Sequence, residues 1–189
     1  MDTEKIIANL KKRGFEAVFA QTKAEAVEAA LAFMPKGSSV SWGGSVSVEE
    51  SGLLARVKNG DYKLIDRDSA KSPEEKAELM RKAFFADFFL TSFNAVSEDG
   101  VLFNIDGNGN RVAAITFGPK EVIALVGINK IVPTEADLEN RALKVAAPKN
   151  AQRLKLTNEH DICATFVKTR ISRTKGRIKI ILVGEELGY

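Results

Sequence analysis

Carboxylates, glycines, amides and a few cations recur just after apolar runs, and they are the groups with which this chain could do chemistry. Glu98 and Asp99, in Ser97-Glu98-Asp99-Gly100, lie shortly beyond one such run. A carboxylate there can act as general acid, base or nucleophile if its surroundings tune it; the plainer alternative is a turn leading into Gly100. Gly43-Gly44-Ser45 separates an apolar run from a helical pattern, so its backbone could approach an anion closely at a helix start. It lacks the Lys-Ser/Thr ending of a Walker loop and is not G-x-G-x-x-G. Thr91 and Asn94 close the Asp87 run, and Asn129-Lys130 closes the Val122 run with an amide and a charge. Asn104, Asp106, Gly107, Gly109, Asn110 and Arg111 crowd a single tip. Only Asp106 is acidic there, which excludes an EF-hand calcium loop, whereas the Arg111 fork suits a carboxylate or phosphate. His160, flanked by charge, reads as an exposed residue, and Cys163 as a small buried hydrophobe.

Composition limits what else these residues could do. The 189 residues contain one cysteine and one histidine, so an intramolecular disulfide, a Cys-rich zinc site and a four-Cys iron–sulfur site are excluded within the chain. No metal and no cofactor are expected. With 28 Lys+Arg against 25 Asp+Glu the net charge is +3, and the basic residues are mostly interleaved with acidic ones. The densest basic stretch, Lys168 to Lys179, has strand-like spacing and reads as a solvated face, so nucleic acid is not an expected partner. The opening Met-Asp-Thr-Glu-Lys enters a charged amphipathic segment, and no apolar stretch approaches the ~20 residues of a membrane span. The expectation is a cytoplasmic protein with no membrane contact.

The elements that must position these groups follow from periodicity. Ile6, Ile7 and Leu10 predict a first helix ending near Gly14, and Thr22 with Glu25 marks the start of an Ala-rich second one. Ser72-Pro73-Glu74-Glu75 is the clearest helix start, and Thr134 with Asp137 begins a late helix. Short apolar runs at Glu16–Ala20, Ser39–Trp42, Tyr62–Ile65, Asp87–Thr91, Val101–Ile105 and Val122–Val126 predict strands, several continuous enough to be buried on both faces. Arg111–Phe117 is expected to return as a strand, and Ile162–Ile171 to pair with Arg177–Val183 as a C-terminal hairpin. Strands alternating with helices predict an α/β fold with a mostly parallel, Rossmann-like sheet covered on both faces. The length suits one domain, residues 1–189, with a β appendage from about residue 160. In such sheets ligands bind beyond the carboxyl ends of the strands, which is where the polar groups above fall.

Taken together these segments resemble a known family. Trp42-Gly43-Gly44-Ser45-Val46 with Glu49 and Gly52-Leu53 is similar to the Gly-Gly-Ser…Glu…Gly-Leu segment of the LUD-domain (DUF162) family, which includes lactate utilization protein C. Ala86-Asp87, Thr91, Ala95, Asp99-Gly100, Asn104, Gly107 and Gly109-Asn110-Arg111-Val112 resemble its central block. Gly118-Pro119, Val126-Gly127, Asn129-Lys130-Ile131-Val132, Ala136, Arg141 and the closing Gly176-Arg177-Ile178 to Tyr189 continue the match in order. The resemblance implies a fold like that of ribose-5-phosphate isomerase, glucosamine-6-phosphate isomerase and the CoA transferases. It also implies a role in oxidation of L-lactate to pyruvate beside iron–sulfur partner proteins. Many relatives carry a Cys-rich insert before the last strands; here Leu156–Cys163 replaces it and only Cys163 remains, so a redox role attached to that insert does not transfer.

The expected function is therefore a component of L-lactate utilization with a site for a small anionic metabolite, a carboxylate, phosphate or CoA-like group. The alternative is a non-catalytic assembly or regulatory subunit of an iron–sulfur lactate-oxidising complex. Whether the chain catalyses a reaction alone, and whether it self-associates, stay open at this stage.

Overall fold

The computed structural model describes residues 1–156 and 162–189. Its strands, numbered in chain order, divide between two sheets. The larger is wholly parallel, in the spatial order Glu16–Ala20 (β1), Ile178–Val183 (β10), Glu121–Gly127 (β7), Phe88–Thr91 (β4), Ser39–Trp42 (β2) and Lys63–Ile65 (β3). The smaller is mixed, in the order Ile131–Val132 (β8), Ala95–Ser97 (β5), Leu102–Asp106 (β6) and Thr165–Thr169 (β9). The expected α/β class with a mostly parallel sheet holds.

Alternation along the strands explains the layering. Val122, Ala124 and Val126 of β7, with Ile178, Ile180 and Leu182 of β10, face one way. They pack against Ile6 and Leu10 of Thr3–Lys12 (α1), Ala114 and Ile115 of Asn110–Thr116 (α6), and Val96 and Leu102 of the small sheet. The intervening Ile123, Leu125, Ile181 and Val183 face the other way, against Lys23–Ala32 (α2), Val46–Glu50 (α3) and Leu53–Lys58 (α4). Both faces being covered is why these strands are nearly continuous apolar runs. Truncating a fully buried residue such as Ile123 or Leu125 to Ala would cost about 2–5 kcal/mol. The far face of the small sheet (Ala95, Phe103, Ile105) rests on Leu138, Ala142 and Ala147.

Local signals fix the helix ends. Asp2 caps α1 by accepting from Lys5 N–H, and the α1 exit is turned by Gly14 at φ +82°. Thr22 caps α2 and the Glu25 carboxylate reaches back to Gln21 N–H. Ser72 caps Pro73–Lys82 (α5), which buries none of its residues. The late helix runs Asp137–Arg141 (α7), widens into a π-helical turn at Ala142–Ala146, and resumes as Ala147–Leu154 (α8). Pro148 lacks the N–H that would bond Lys144 and its ring crowds that carbonyl, which accounts for the widening just before it.

Two expectations are corrected. Arg111–Phe117 is not a return strand: Gly109, at φ +74°, starts α6, which turns Val112 and Ile115 inward at helical spacing. The two C-terminal strands do not pair with each other. β9 adds antiparallel to β6 in the small sheet, and β10 enters the large sheet between β1 and β7. The reason is burial: Ile178 and Ile180–Val183 are apolar on both faces and need the middle of a covered sheet, whereas β9 leaves alternate residues exposed. His160 and the rest of 157–161 lie outside the described residues. Cys163 is half-buried against the cluster under the small sheet. Among the described residues no helix is long and apolar enough to cross a membrane.

Candidate functional site

Strand order places the cleft. β2 leads outward to β3, whereas β4 leads inward to β7, so the direction of strand addition reverses between β2 and β4. Chains leaving the carboxyl ends of such neighbours diverge and open a crevice. Gly44, Ser45 and Ser47 line it after β2, Ser92, Phe93 and Asn94 after β4, and Lys130 after β7. Asn150 and Arg153 of α8, with Tyr189, form the opposite wall. This inner cleft is in part open to solvent and continues outward past Arg67, Asp106, Gly107 and Asn110.

Lys130 is its most unusual group. It is only 3% exposed, and among the described residues its ammonium makes no ion pair. Nζ donates to Ser47 Oγ at 2.7 Å and to Ser92 Oγ at 3.0 Å. Each hydroxyl in turn donates its proton to a main-chain carbonyl, Ser47 to Leu187 at 3.2 Å and Ser92 to Leu125 at 2.6 Å. The hydroxyls therefore offer Lys130 lone pairs only, and two of its three Nζ positions are taken. Burial, reinforced by the Arg141 and Arg111 charges and partly opposed by Glu50, pulls its pKa from 10.5 down to about 7.

Arg111 is half-buried beside it and differently held. Nη1 donates to Asn104 Oδ1 (2.6 Å) and Ser92 O (3.4 Å), and Nη2 to Ile105 O (2.5 Å) and Asn94 Oδ1 (3.2 Å). Nε faces Asp106 Oδ2 at 3.6 Å. All five N–H groups are thus directed at the protein, and no fork is left for a ligand. A Cβ at Gly43 would sit 2.9 Å from Arg111 Cδ, so the glycine at 43 makes room for the arginine stem. This corrects the expected role of both: they frame the cleft.

Other groups are less satisfied. Ser45 Oγ is buried in the cleft wall and among the described residues has no hydrogen-bond partner. Arg67 approaches Asp68 only at 3.5 Å, leaves Nε without a hydrogen bond, and lies close enough to Gly44 that a Cβ there would meet Nη2 at 2.9 Å. Arg153 donates to Asn150 Oδ1 and, at 2.7 Å, to Tyr189 Oη. Among the described residues, the charged side chains of the inner cleft are Arg111, Lys130 and Arg153, and no Asp or Glu lines it. Among the described residues no three His, Cys, Asp or Glu side chains gather to hold a metal ion.

The sequence-derived residues separate accordingly. Gly44, Ser45, Asn94, Arg111 and Lys130 meet in the inner cleft, and Asp106, Gly107 and Asn110 in its outer part. Thr91, Asn104, Gly109 and Asn129 stand behind them. Asn129 holds the 187–188 segment, accepting from Leu187 N–H and donating to Gly188 O, and Asp106 accepts from Gly109 and Val112 N–H at the start of α6. At 43–45, which the sequence reads either as a structural turn or as an anion cradle, the chain leads into the five-residue α3. Glu98 and Asp99 are not brought to the cleft. They turn the chain against α1, where Asp99 pairs with Arg13 at 3.0 Å and accepts a short hydrogen bond from Ser97, and Glu98 O accepts from Asn9. Ser47, Ser92, Arg67, Asn150, Arg153 and Tyr189 were not among the expected site residues. Ser92 alone carried a signal, being a hydroxyl at a strand end beside Thr91.

Comparison with known proteins agrees with this architecture. No curated protein matches the sequence. A DUF162 family protein from Deinococcus radiodurans, known from a crystal structure at 1.70 Å resolution, has the same fold, with a TM-score of 0.59 at 14% identity over 97% of this chain and 99% of that one. The eIF2B delta structure from Chaetomium thermophilum is a looser match, TM-score 0.45 at 14% identity, covering 94% of this chain and 59% of that one. The family model of the LUD domain matches residues 3–183, nearly the whole sequence, and the chain belongs to the LUD domain family.

Proposed function

We propose that the protein binds a small anionic metabolite in this cleft and acts as a component of L-lactate utilization in the cytoplasm. The observation that carries the reading is Lys130, a buried cation that among the described residues has no carboxylate partner, in a cleft whose described inner lining has Arg111 and Arg153 but no acid. Two serine hydroxyls offset the burial cost of Lys130 only in part, and a ligand carboxylate or phosphate would offset more of it. The unpartnered Ser45 Oγ adds a second polar group awaiting a partner. The lactate context rests on the family resemblance.

The test is a thermal-shift and calorimetry panel with L-lactate, pyruvate, inorganic phosphate and coenzyme A. A ligand at a hundred times its Kd stabilises by ~2.7 kcal/mol, a readily measured shift. Wild type should respond to at least one anion and Lys130→Met should not. No response to any of the four would sink the reading. In a deletion strain, growth on lactate should be restored by wild type and not by Lys130→Met.

A second reading, an assembly subunit for iron–sulfur partners, draws on a different surface. Phe117 and Ile171 are largely exposed and line one depression beside β9. Phe117→Asp with Ile171→Asp should then abolish anaerobic co-purification of such a partner while leaving anion binding intact.

A further inference from the structure

We propose that Lys130 is a nucleophile, and that its Nζ condenses reversibly with the carbonyl carbon of a small 2-oxo acid held in the cleft. This rests on the cleft being an anion site and goes beyond it, since an anion site needs only the charge of a lysine. The geometry asks for more. A neutral Lys130 keeps two N–H groups on Ser47 and Ser92, whose own protons go to Leu187 O and Leu125 O. The hydroxyls cannot donate to the amine without giving up those carbonyls, so the nitrogen lone pair takes the one remaining tetrahedral position. A general-base role for Lys130 toward Ser92 is disfavoured by the same protons, which point away from the amine.

The environment makes the neutral form accessible. The charged groups bearing on Lys130 are Arg141, Arg111 and Glu50; with burial they hold its pKa near 7, the condition in which a lysine works as a carbonyl nucleophile. Gly188 fits the arrangement. A Cβ there would lie 2.5 Å from Ser47 Oγ and 3.3 Å from Lys130 Nζ, so a residue without a side chain lets the main chain cross beside the amine without covering it. The remaining polar groups select the acid: Ser45 Oγ has no partner among the described residues, and Arg153 lines the same inner cleft. An amine for the carbonyl and a hydroxyl with a guanidinium for the carboxylate describe an oxo acid.

The step balances without an oxidant. The Nζ lone pair forms a bond to the carbonyl carbon, and the oxygen takes up an amine proton to give a carbinolamine. The oxygen then leaves as water with the second amine hydrogen, and a C=N bond remains. The reverse, hydrolysis, returns the amine and the oxo acid.

The test incubates the full chain with pyruvate and cyanoborohydride, whose hydride reduces the imine carbon and makes the adduct permanent, followed by peptide mass mapping. The expected result is one reduced pyruvyl group confined to the peptide carrying Lys130. Labelling should rise with pH and level off above about 7–8, whereas a surface lysine, with an ordinary pKa near 10.4, keeps gaining roughly tenfold per pH unit through that range. Because the site is mapped in wild type, the result does not depend on a variant that folds. A pyruvate-induced thermal shift without labelling at Lys130, or labelling spread over surface lysines, overturns the nucleophile and leaves the anion site standing. Neither shift nor labelling with pyruvate overturns the nucleophile too, and the anion site then stands or falls on the other anions of the panel.

Discussion

Arg111 and Lys130 are both cations inside the same cleft, and the surroundings of each give it an opposite task. Arg111 has every donor directed at an acceptor drawn from β4, β6 and the turns after them, with Asp106 against its Nε. It ties the exit of the large sheet to the small sheet. Lys130 has two neutral partners, a depressed pKa and, among the described residues, no counter-ion. A cation whose donors are all taken up by the fold is architecture, whereas a buried one that the fold leaves short is kept at a cost that folding alone does not explain.

The contrast can be broken by removing each cation in turn. Arg111→Met should destabilise by about 3–5 kcal/mol in urea unfolding, because Asp106 loses its cationic neighbour while both asparagine amide oxygens and two carbonyls each lose one donor. Arg111→Lys should rescue little of this, since one ammonium cannot replace five fixed donors. Lys130→Met should do the opposite, raising stability at pH 6 by about 2 kcal/mol, the relief of burial being partly offset by two lost hydrogen bonds. The sign follows from the proton balance. The unfolded lysine holds its proton up to about 10.5, the folded one only to about 7, so wild-type stability rises with pH across that window. The gain from Lys130→Met therefore shrinks from pH 7 toward pH 10, and a gain independent of pH would contradict the assignment.

Smaller effects sharpen the comparison. Ser45→Ala removes a buried hydroxyl that has no partner, so stability should rise by up to about 1 kcal/mol while anion affinity falls, a split read by unfolding and calorimetry together. Asp99→Asn should matter least. Its pair with Arg13 is half exposed, a geometry that contributes less than about 1 kcal/mol, and it lies outside the cleft, so anion binding should be unchanged. If Asp99→Asn abolished binding, the site would have been placed on the wrong side of β5.

What the sequence could disclose follows the range of the interactions involved. β2, β4 and β7 were legible because a strand covered on both faces is a short unbroken apolar run, and the residues after such runs line the cleft. Arg111–Phe117 misled because Val112, Ala113, Ala114 and Ile115 suit either element, and only Gly109 and the inward spacing decide it. β9 and β10 looked like a hairpin from their closeness along the chain, although their partners lie far back in it. Arg111 was visible as a cation at a strand-end rim; that its donors are all occupied depends on residues 92, 94, 104, 105 and 106 converging in space. Arg67, Arg153 and Tyr189 gave no signal, since a surface arginine and a cleft arginine have the same neighbours in sequence.

The place of β10 has a consequence for how the molecule acquires its structure. β1 hydrogen-bonds within the sheet to β10 and to no other strand, so the first strand waits for nearly the whole chain before it can be seated. Loop closure over that span precedes any gain from the contact, which predicts slow, late consolidation of this edge of the sheet. During synthesis, β2, β3, β4 and β7 can assemble first, with the flank of β7 open until β10 arrives. That exposed flank is the stage at which the nascent chain is most open to pairing with a wrong strand.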